Sequence, residues 1–372
     1  MYYRPAHFRQ LLSHINLYFK DSSKYPLVSI VIPLYNEEKF FAACLDSLLR
    51  QSYKNWECVI VNDCSTDSSR SIAEQYQARD PRFKIVDHEV NKGLPASRNT
   101  GLKNVQGEYV TFLDSDDFLL QHSLWRRVLT LHGTQERVAG SFCGMVHVQE
   151  SGVIAKEHRL YLNKSRQAPV SFLTAKGECP FNVHAVLLKT AAVKQAGGFR
   201  EELRWGAEDW DLWQRMLRNG YVFLPSGFMG AAYRQKRGSM VRSLVHQHCE
   251  QGLRLIEEVT KPMEMRDFIQ GAPLQYVEPH CTYITELSRT KRLVMYYASA
   301  YINKDEESMR LISAQFKKGF LPYLKANMNF YDLVDMAVAR HLCLSIPALK
   351  HRKKIYRGVR THFLREVESQ LK

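Results

Sequence analysis

The 372-residue chain contains no CxxC pair and no cysteine–histidine cluster at zinc spacing, which removes dithiol redox motifs and structural zinc from consideration. Its eight cysteines (Cys44, Cys58, Cys64, Cys143, Cys179, Cys249, Cys281 and Cys343) stand apart, as free thiols of a reducing compartment do. No apolar stretch approaches the roughly 18 residues that a bilayer span requires. The N-terminus carries Arg4 and Arg9 but no apolar run leading to a small-residue cleavage site. Internal repeats and low-complexity linkers are also missing. These absences predict a cytoplasmic protein, or one resting on a membrane face without crossing it.

What is present is a globular composition, with 45% hydrophobic and 24% charged residues, in a chain long enough to bury a large core. The formal net charge of +14 calls for an acidic partner. Nucleotide phosphates and anionic lipid both qualify. Nucleic acid qualifies on charge as well, but it has only the charge in its favour, with no recognisable binding module.

The first half alternates short β-branched runs with helical spacing. Strands are expected at residues 27–34, 56–62, 83–86 and 108–113, and helices at 37–51, 68–78 and 95–104. The third helix opens with Pro95 in its first turn. This alternation predicts a mostly parallel sheet with helices on both faces. In such sheets ligands bind outside the carboxyl ends of the strands, so the residues just after each strand are the ones to read. Beyond about residue 137 the pattern mixes strand-like VAGSFCGMVHV and FLPSGFMGAAYR, and from about residue 244 it turns helical and basic.

Strand one runs through Pro33 into Tyr35, Asn36 and Glu37, and strand two into Asn62, Asp63, Cys64, Ser65, Thr66 and Asp67. A carboxylate beside an aromatic ring can accept a base's N–H while the ring stacks on its face. The same residues serve equally as a helix cap, and Asp63 and Asp67 need not share one job. Strand four ends in Asp114, Ser115, Asp116 and Asp117. Three carboxylates in four residues repel one another, and a hard divalent cation that also touches phosphate removes that cost. The competing reading is an acidic turn before a helix from Gln121. Between these segments, Asn91-Lys92-Gly93 leads into a helix bearing Arg98, which offers backbone donors and positive charge to anionic oxygens. Farther on, Glu208-Asp209-Trp210-Asp211-Leu212-Trp213 opens a helix. Asp209 lies four residues before Trp213 and so shares its apolar face, where a carboxylate can take a proton from an attacking hydroxyl. Glu208 and Asp211 read as acids favoured by a helix N-terminus.

Six motifs in order (SIVIPLYNEE, VNDCSTD, NKGLPASRNTGL, GEYVTFLDSDD, GGFREEL and EDWDLW) resemble the family 2 glycosyltransferases, an inverting group with the GT-A fold, over about residues 27–240. The resemblance implies a Rossmann-like, mostly parallel α/β sheet at residues 25–243, preceded by an amphipathic extension (1–24) and followed by a helical basic C-terminal extension (244–372). It implies a nucleotide-sugar donor, UDP-sugar by family frequency, and a saccharide or lipid-linked acceptor. Asp63, with Tyr35 and Glu37, looks like the nucleoside pocket, and Pro33, Ser115, Glu208 and Lys236 are carried over as further donor-binding residues. Arg98 looks like the arginine beside the donor and Asp114 like the ribose-side carboxylate. Asp116 looks like the ligand of Mn2+ or Mg2+, and Asp209, after Glu208, like the catalytic base. One departure stands out. Members often carry a metal-binding histidine in a late Tyr-Arg-x-His segment, where this chain has Lys236 in Tyr233-Arg234-Gln235-Lys236. A protonated ammonium cannot ligate a cation, so either the metal loses a ligand or Lys236 and Arg237 neutralise the diphosphate directly. The absence of a QxxRW motif argues against a processive synthase.

Residues 350–372 carry eight Lys and Arg, with Ile355, Val359, Phe363 and Val367 recurring every fourth residue. That pattern fits a helix lying on an anionic membrane surface, or equally one packed on the catalytic domain. Two other readings of the whole chain stay open: a nucleotidyltransferase, and a non-catalytic GT-A subunit. The EDWDLW segment counts against the first, and intact Asp114, Asp116 and Asp209 against the second.

Overall fold

The computed structural model describes residues 22–151, 169–170, 179–236, 251–252, 296–297, 300 and 304–315. The amphipathic extension expected at 1–24, apart from residues 22–24, the basic helix expected at 350–372, and Cys249, Cys281 and Cys343 lie outside the described residues. Among the described residues, no helix is long and apolar enough to cross a membrane, and Cys44, Cys58, Cys64, Cys143 and Cys179 are free thiols.

Four strands, β1 (Val28–Leu34), β2 (Trp56–Asn62), β3 (Phe83–Asp87) and β4 (Tyr109–Phe112), pair in parallel in the order β3-β2-β1-β4. Every residue of β1, β2 and β4 is buried. This is why these segments read as continuous β-branched runs rather than as alternating ones. Helices α1 (Phe41–Leu49), α2 (Ser69–Arg79) and α3 (Leu94–Asn104) follow β1, β2 and β3 in turn. α3 packs on β1 and β2, closely enough that a Cβ at Gly101 would collide with the Val31 side chain.

Beyond β4 the parallel expectation gives way to a mixed arrangement. The sheet continues through β7 (Val186–Lys189), β6 (Val138–Gln149), β8 (Val222–Gln235) and the edge strand β5 (Phe118–Leu119). β7 runs antiparallel to both β4 and β6, β8 parallel to β6, and β5 antiparallel to β8. Helices α4 (Ser123–Leu131), α5 (Thr190–Gln195), α6 (Glu208–Arg218) and α7 (Glu306–Gln315), with 3-10 turns at Ser22–Lys24 and Val183–Ala185, complete the described elements. α4 packs on β6, β7 and β8. An aromatic cluster of Phe142, Phe181, Trp213 and Phe223 ties α6 to this half of the sheet, with ring centroids 5.0–6.0 Å apart.

Candidate functional site

β1, β2 and β4 are neighbours in parallel register, so their carboxyl ends open on one edge of the sheet and bring three sequence-distant loops together. The first two are laced by hydrogen bonds. Thr66 N–H donates to Asn36 Oδ1 (2.8 Å), Glu37 N–H to Ser69 Oγ (2.8 Å) and Glu38 N–H to Asp67 Oδ2 (3.1 Å). Asp67 also accepts the Ser69 N–H at the start of α2 (3.0 Å), so it does the capping work while Asp63 does something else. Tyr35, 50% exposed, keeps a free ring face; Pro33 and Ser115 are buried.

Asp63 is buried, and most of its acceptor capacity is spent inside the protein. Its Oδ1 accepts the Lys92 N–H (2.8 Å) and meets His88 Nδ1 (2.7 Å), while Oδ2 accepts the Gly93 N–H (2.8 Å). A carboxylate offers about four lone-pair sites, which leaves one, on Oδ2. Asp63 therefore holds the glycine turn in place, with Gly93 at a positive φ of 90°, and retains a single acceptor for a base.

Arg98 differs from its expected role. It is 1% exposed, and its fork is committed, with Nη2 donating to Asp114 Oδ1 (2.7 Å) and Nη1 to Glu208. Its positive charge therefore fastens the end of β4 to the start of α6 and is not presented to phosphate. Burial pushes the Asp114 carboxyl upward, but the guanidinium prevails and holds it below the usual carboxylate range.

The start of α6 reverses the expected burial of its acids. Glu208 and Asp211 are buried and Asp209 only half-buried. The reason is that each buried acid has its own cation. Glu208 has Arg98, and Asp211 has Arg215 (2.7 Å) and Arg200 (3.2 Å). Ala207 enters the helix at φ 65°, a left-handed conformation that costs a Cβ-bearing residue roughly 1–2 kcal/mol. Asp209 itself accepts the Trp210 N–H (2.6 Å). Burial, and then the neighbouring Glu208 carboxylate, push its pKa up to about 7 against the pull of Arg98. A carboxyl poised there is matched to general-base work at neutral pH.

Asp116, expected to ligate a metal, instead pairs with Lys236, whose Nζ lies 2.9 Å from its Oδ2 and also pairs with Glu37. A divalent ion on Asp116 would stand beside that ammonium, so these residues do not fit a cation at this position. Another group does. Asp114, Asp117 and His184 place one ligand atom each within 4.8 Å of one another and could hold a metal. Asp117 Oδ2 and His184 Nδ1 lie 3.3 Å apart and lack hydrogen bonds. Burial and then the charges of Asp116 and Asp114 push the Asp117 carboxyl well up, while burial pushes the His184 imidazole down to about 4. Both shifts disfavour a charged pair and would be relieved by a cation. Asp117 Oδ1 also accepts the Arg234 N–H (2.7 Å), which ties β8 to the β4 end.

Residues 29–188 match the family model described as Glycosyl transferase family 2. The glycosyltransferase EpsE of Bacillus subtilis is 34% identical over 199 residues, covering 53% of this chain and 68% of EpsE. The chain belongs to glycosyltransferase family 2. The glycosyltransferase EpsJ of the same organism is 43% identical over 119 residues, or 32% of this chain, and the chain spans only 34% of EpsJ's own length. Two solved structures share the GT-A fold with this glycosyltransferase. Residues 1–349 of TarS from S. aureus, in complex with UDP, superpose with a TM-score of 0.53 at 20% identity over 92% of this chain and 90% of that one. The mannosyltransferase PcManGT from Pyrobaculum calidifontis, in complex with GDP-Man and Mn2+, gives 0.54 at 16% identity over 98% and 97%.

Two members of the candidate metal group, Asp117 and His184, were not individually expected as ligands. Asp117 was visible as the third acid of its run. His184 closes the Cys179–His184 region in which sugar specificity is expected; it stands in a 3-10 turn, Val183–Ala185, just before β7, and lies 3.3 Å from Asp117.

Proposed function

We propose that this glycosyltransferase moves one sugar, a hexose, from a UDP-sugar to a hydroxyl of a saccharide or lipid-linked acceptor, inverting the anomeric carbon, in the synthesis of a cell-surface polysaccharide. The observation that carries the reading is Asp209. This carboxyl sits with a pKa of about 7 beside the Arg98-linked pair of Asp114 and Glu208, which joins it to the ends of the nucleotide-side strands. Asp209 takes the proton of the acceptor hydroxyl and the oxygen attacks the anomeric carbon from the face opposite the diphosphate. As that bond forms, the carbon–oxygen bond to the diphosphate breaks in the same displacement, its electron pair leaving on the nucleotide. Tyr35 stacks on the base, whose N–H meets the remaining acceptor of Asp63. A second reading of the leaving-group charge rests on Asp114, Asp117 and His184, which could together hold Mn2+ or Mg2+; that ion, when bound, would supply Lewis-acid charge there.

The polysaccharide setting draws on relatives. One is TuaG of Bacillus subtilis, named for teichuronic acid biosynthesis, 47% identical over 92 residues, or 25% of this chain and 36% of TuaG. A non-processive cycle accords with the missing QxxRW motif. The basic tail at 350–372 supports peripheral attachment to the inner face of the cell membrane, near a lipid-linked acceptor.

The test is release of nucleoside diphosphate from a panel of nucleotide-sugars with an acceptor extract. Asp209→Asn is expected to lower turnover by about 10²–10⁴-fold while nucleotide affinity stays unchanged. Normal turnover in Asp209→Asn would remove the residue from the chemistry.

A further inference from the structure

β8 ends at Gln235, and the next residue carries its side chain over the ends of two other strands. The Lys236 ammonium stands 2.9 Å from Asp116 Oδ2, pairs also with Glu37, and lies 6.0 Å from the centre of the Phe40 ring. Its partners follow β4 and β1, so three separate segments of the chain build the contact. An ordinary surface pair looks different: Lys39 and Glu150 meet with side chains 67% and 37% exposed, whereas Lys236 keeps 19% and Asp116 20%. Drawing an ammonium that far out of water is costly, and two carboxylates are what offset it. Burial lowers its pKa, but Asp116 and Glu37 outweigh burial and raise it, so the charge persists across the working range of pH. An ammonium has three N–H donors. Two meet carboxylates here, and the third is left for a ligand reaching the exposed fifth of the side chain.

We propose that Lys236 is the built-in cation of the donor site, its ammonium held by Asp116 and Glu37 so that it binds the diphosphate of the nucleotide-sugar without a divalent ion on Asp116. This inference rests on the nucleotide-sugar reading above. Arg98 cannot take the role, because both ends of its fork already serve Asp114 and Glu208. When the bond to the sugar breaks, the diphosphate gains negative charge, and a fixed ammonium stabilises that charge with no proton changing hands. The rival account places the working cation as a metal at Asp114, Asp117 and His184.

Calorimetric titration of the full chain with UDP, dTDP, GDP and the matching nucleosides, in excess EDTA and with added Mn2+, separates the two. The inference expects one diphosphate to bind equally well in both conditions, within about twofold. Lys236→Ala should weaken that diphosphate by about tenfold or more, the loss of one charge-assisted contact, and leave the nucleoside unaffected, which also shows that the variant is folded. Lys236→Arg should recover most of the loss. Lys236→His, whose neutral imidazole can ligate a metal, should bind the diphosphate weakly in EDTA and regain affinity with Mn2+. Wild-type binding that vanishes in EDTA and returns with Mn2+ overturns the inference, as does a Lys236→Ala variant that binds the diphosphate normally. In the first case, loss of the Mn2+ response in His184→Ala assigns the ion to the rival group. If no nucleoside diphosphate binds under either condition, the nucleotide-sugar reading itself falls and this inference falls with it.

Discussion

Arg98 and Lys236 each join two carboxylates drawn from different segments, yet one junction is sealed and the other open. Arg98 is 1% exposed and spans from α3 to the β4 end and the α6 start. Lys236 spans the ends of β1, β4 and β8 with a fifth of its side chain still reachable. A guanidinium with a rigid fork suits permanent fixation of two acids, whereas an ammonium with rotatable donors can add a third partner. The comparison teaches that charge in this site is of two kinds, one that builds the cleft and one that faces its contents.

The largest effect should come from the sealed junction. Arg98→Ala strands two acids, of which Glu208 is buried, and should cost about 3–5 kcal/mol of stability. Denaturant unfolding would register it together with loss of transfer, and Arg98→Lys should restore little, since the fork geometry goes with the guanidinium. Stability near wild type in Arg98→Ala would place both junctions in the same class. Next is the pH dependence of transfer. With Asp209 at about 7, the base form is lost as pH falls. The value of kcat/KM should therefore drop below about pH 7, approaching tenfold per unit, and level off above it. Asp209→Asn should lose that limb, and an unchanged profile would assign it to another group. The smallest effect belongs to a charge outside both junctions. Lys39→Ala removes the exposed pair with Glu150, and should change stability by only about 0–1 kcal/mol and leave nucleotide affinity untouched; a large loss would show that exposure is a poor guide to function here.

Much of this contrast was hidden in the sequence, for a specific reason. Parallel strands buried on both faces announce themselves, so β1 to β4 and the loops after them were legible, as was the convergence of Asp114 and Asp116 on one edge. The mixed half was less so, because β7 is only Val186–Lys189, too short for periodicity to mark, and His184 stands in the three-residue 3-10 turn just before it. Burial of acids was misread for the same underlying cause. Glu208 looked like a solvated helix-start charge because its partner Arg98 lies 110 residues away, and Asp211 because its ties to Arg200 and Arg215 depend on how the helix packs. Asp209 looked core-facing by spacing alone; burial and then the Glu208 carboxylate raise its pKa to about 7, against the pull of Arg98.

A structure of the full chain soaked with a non-hydrolysable nucleotide-sugar tests the central claim most directly. The account predicts the base beside Tyr35, the diphosphate about 3 Å from Lys236 Nζ, and the anomeric carbon facing Asp209 across room for an acceptor hydroxyl. A nucleotide bound on another edge of the sheet, or a sugar turned away from Asp209, would contradict it.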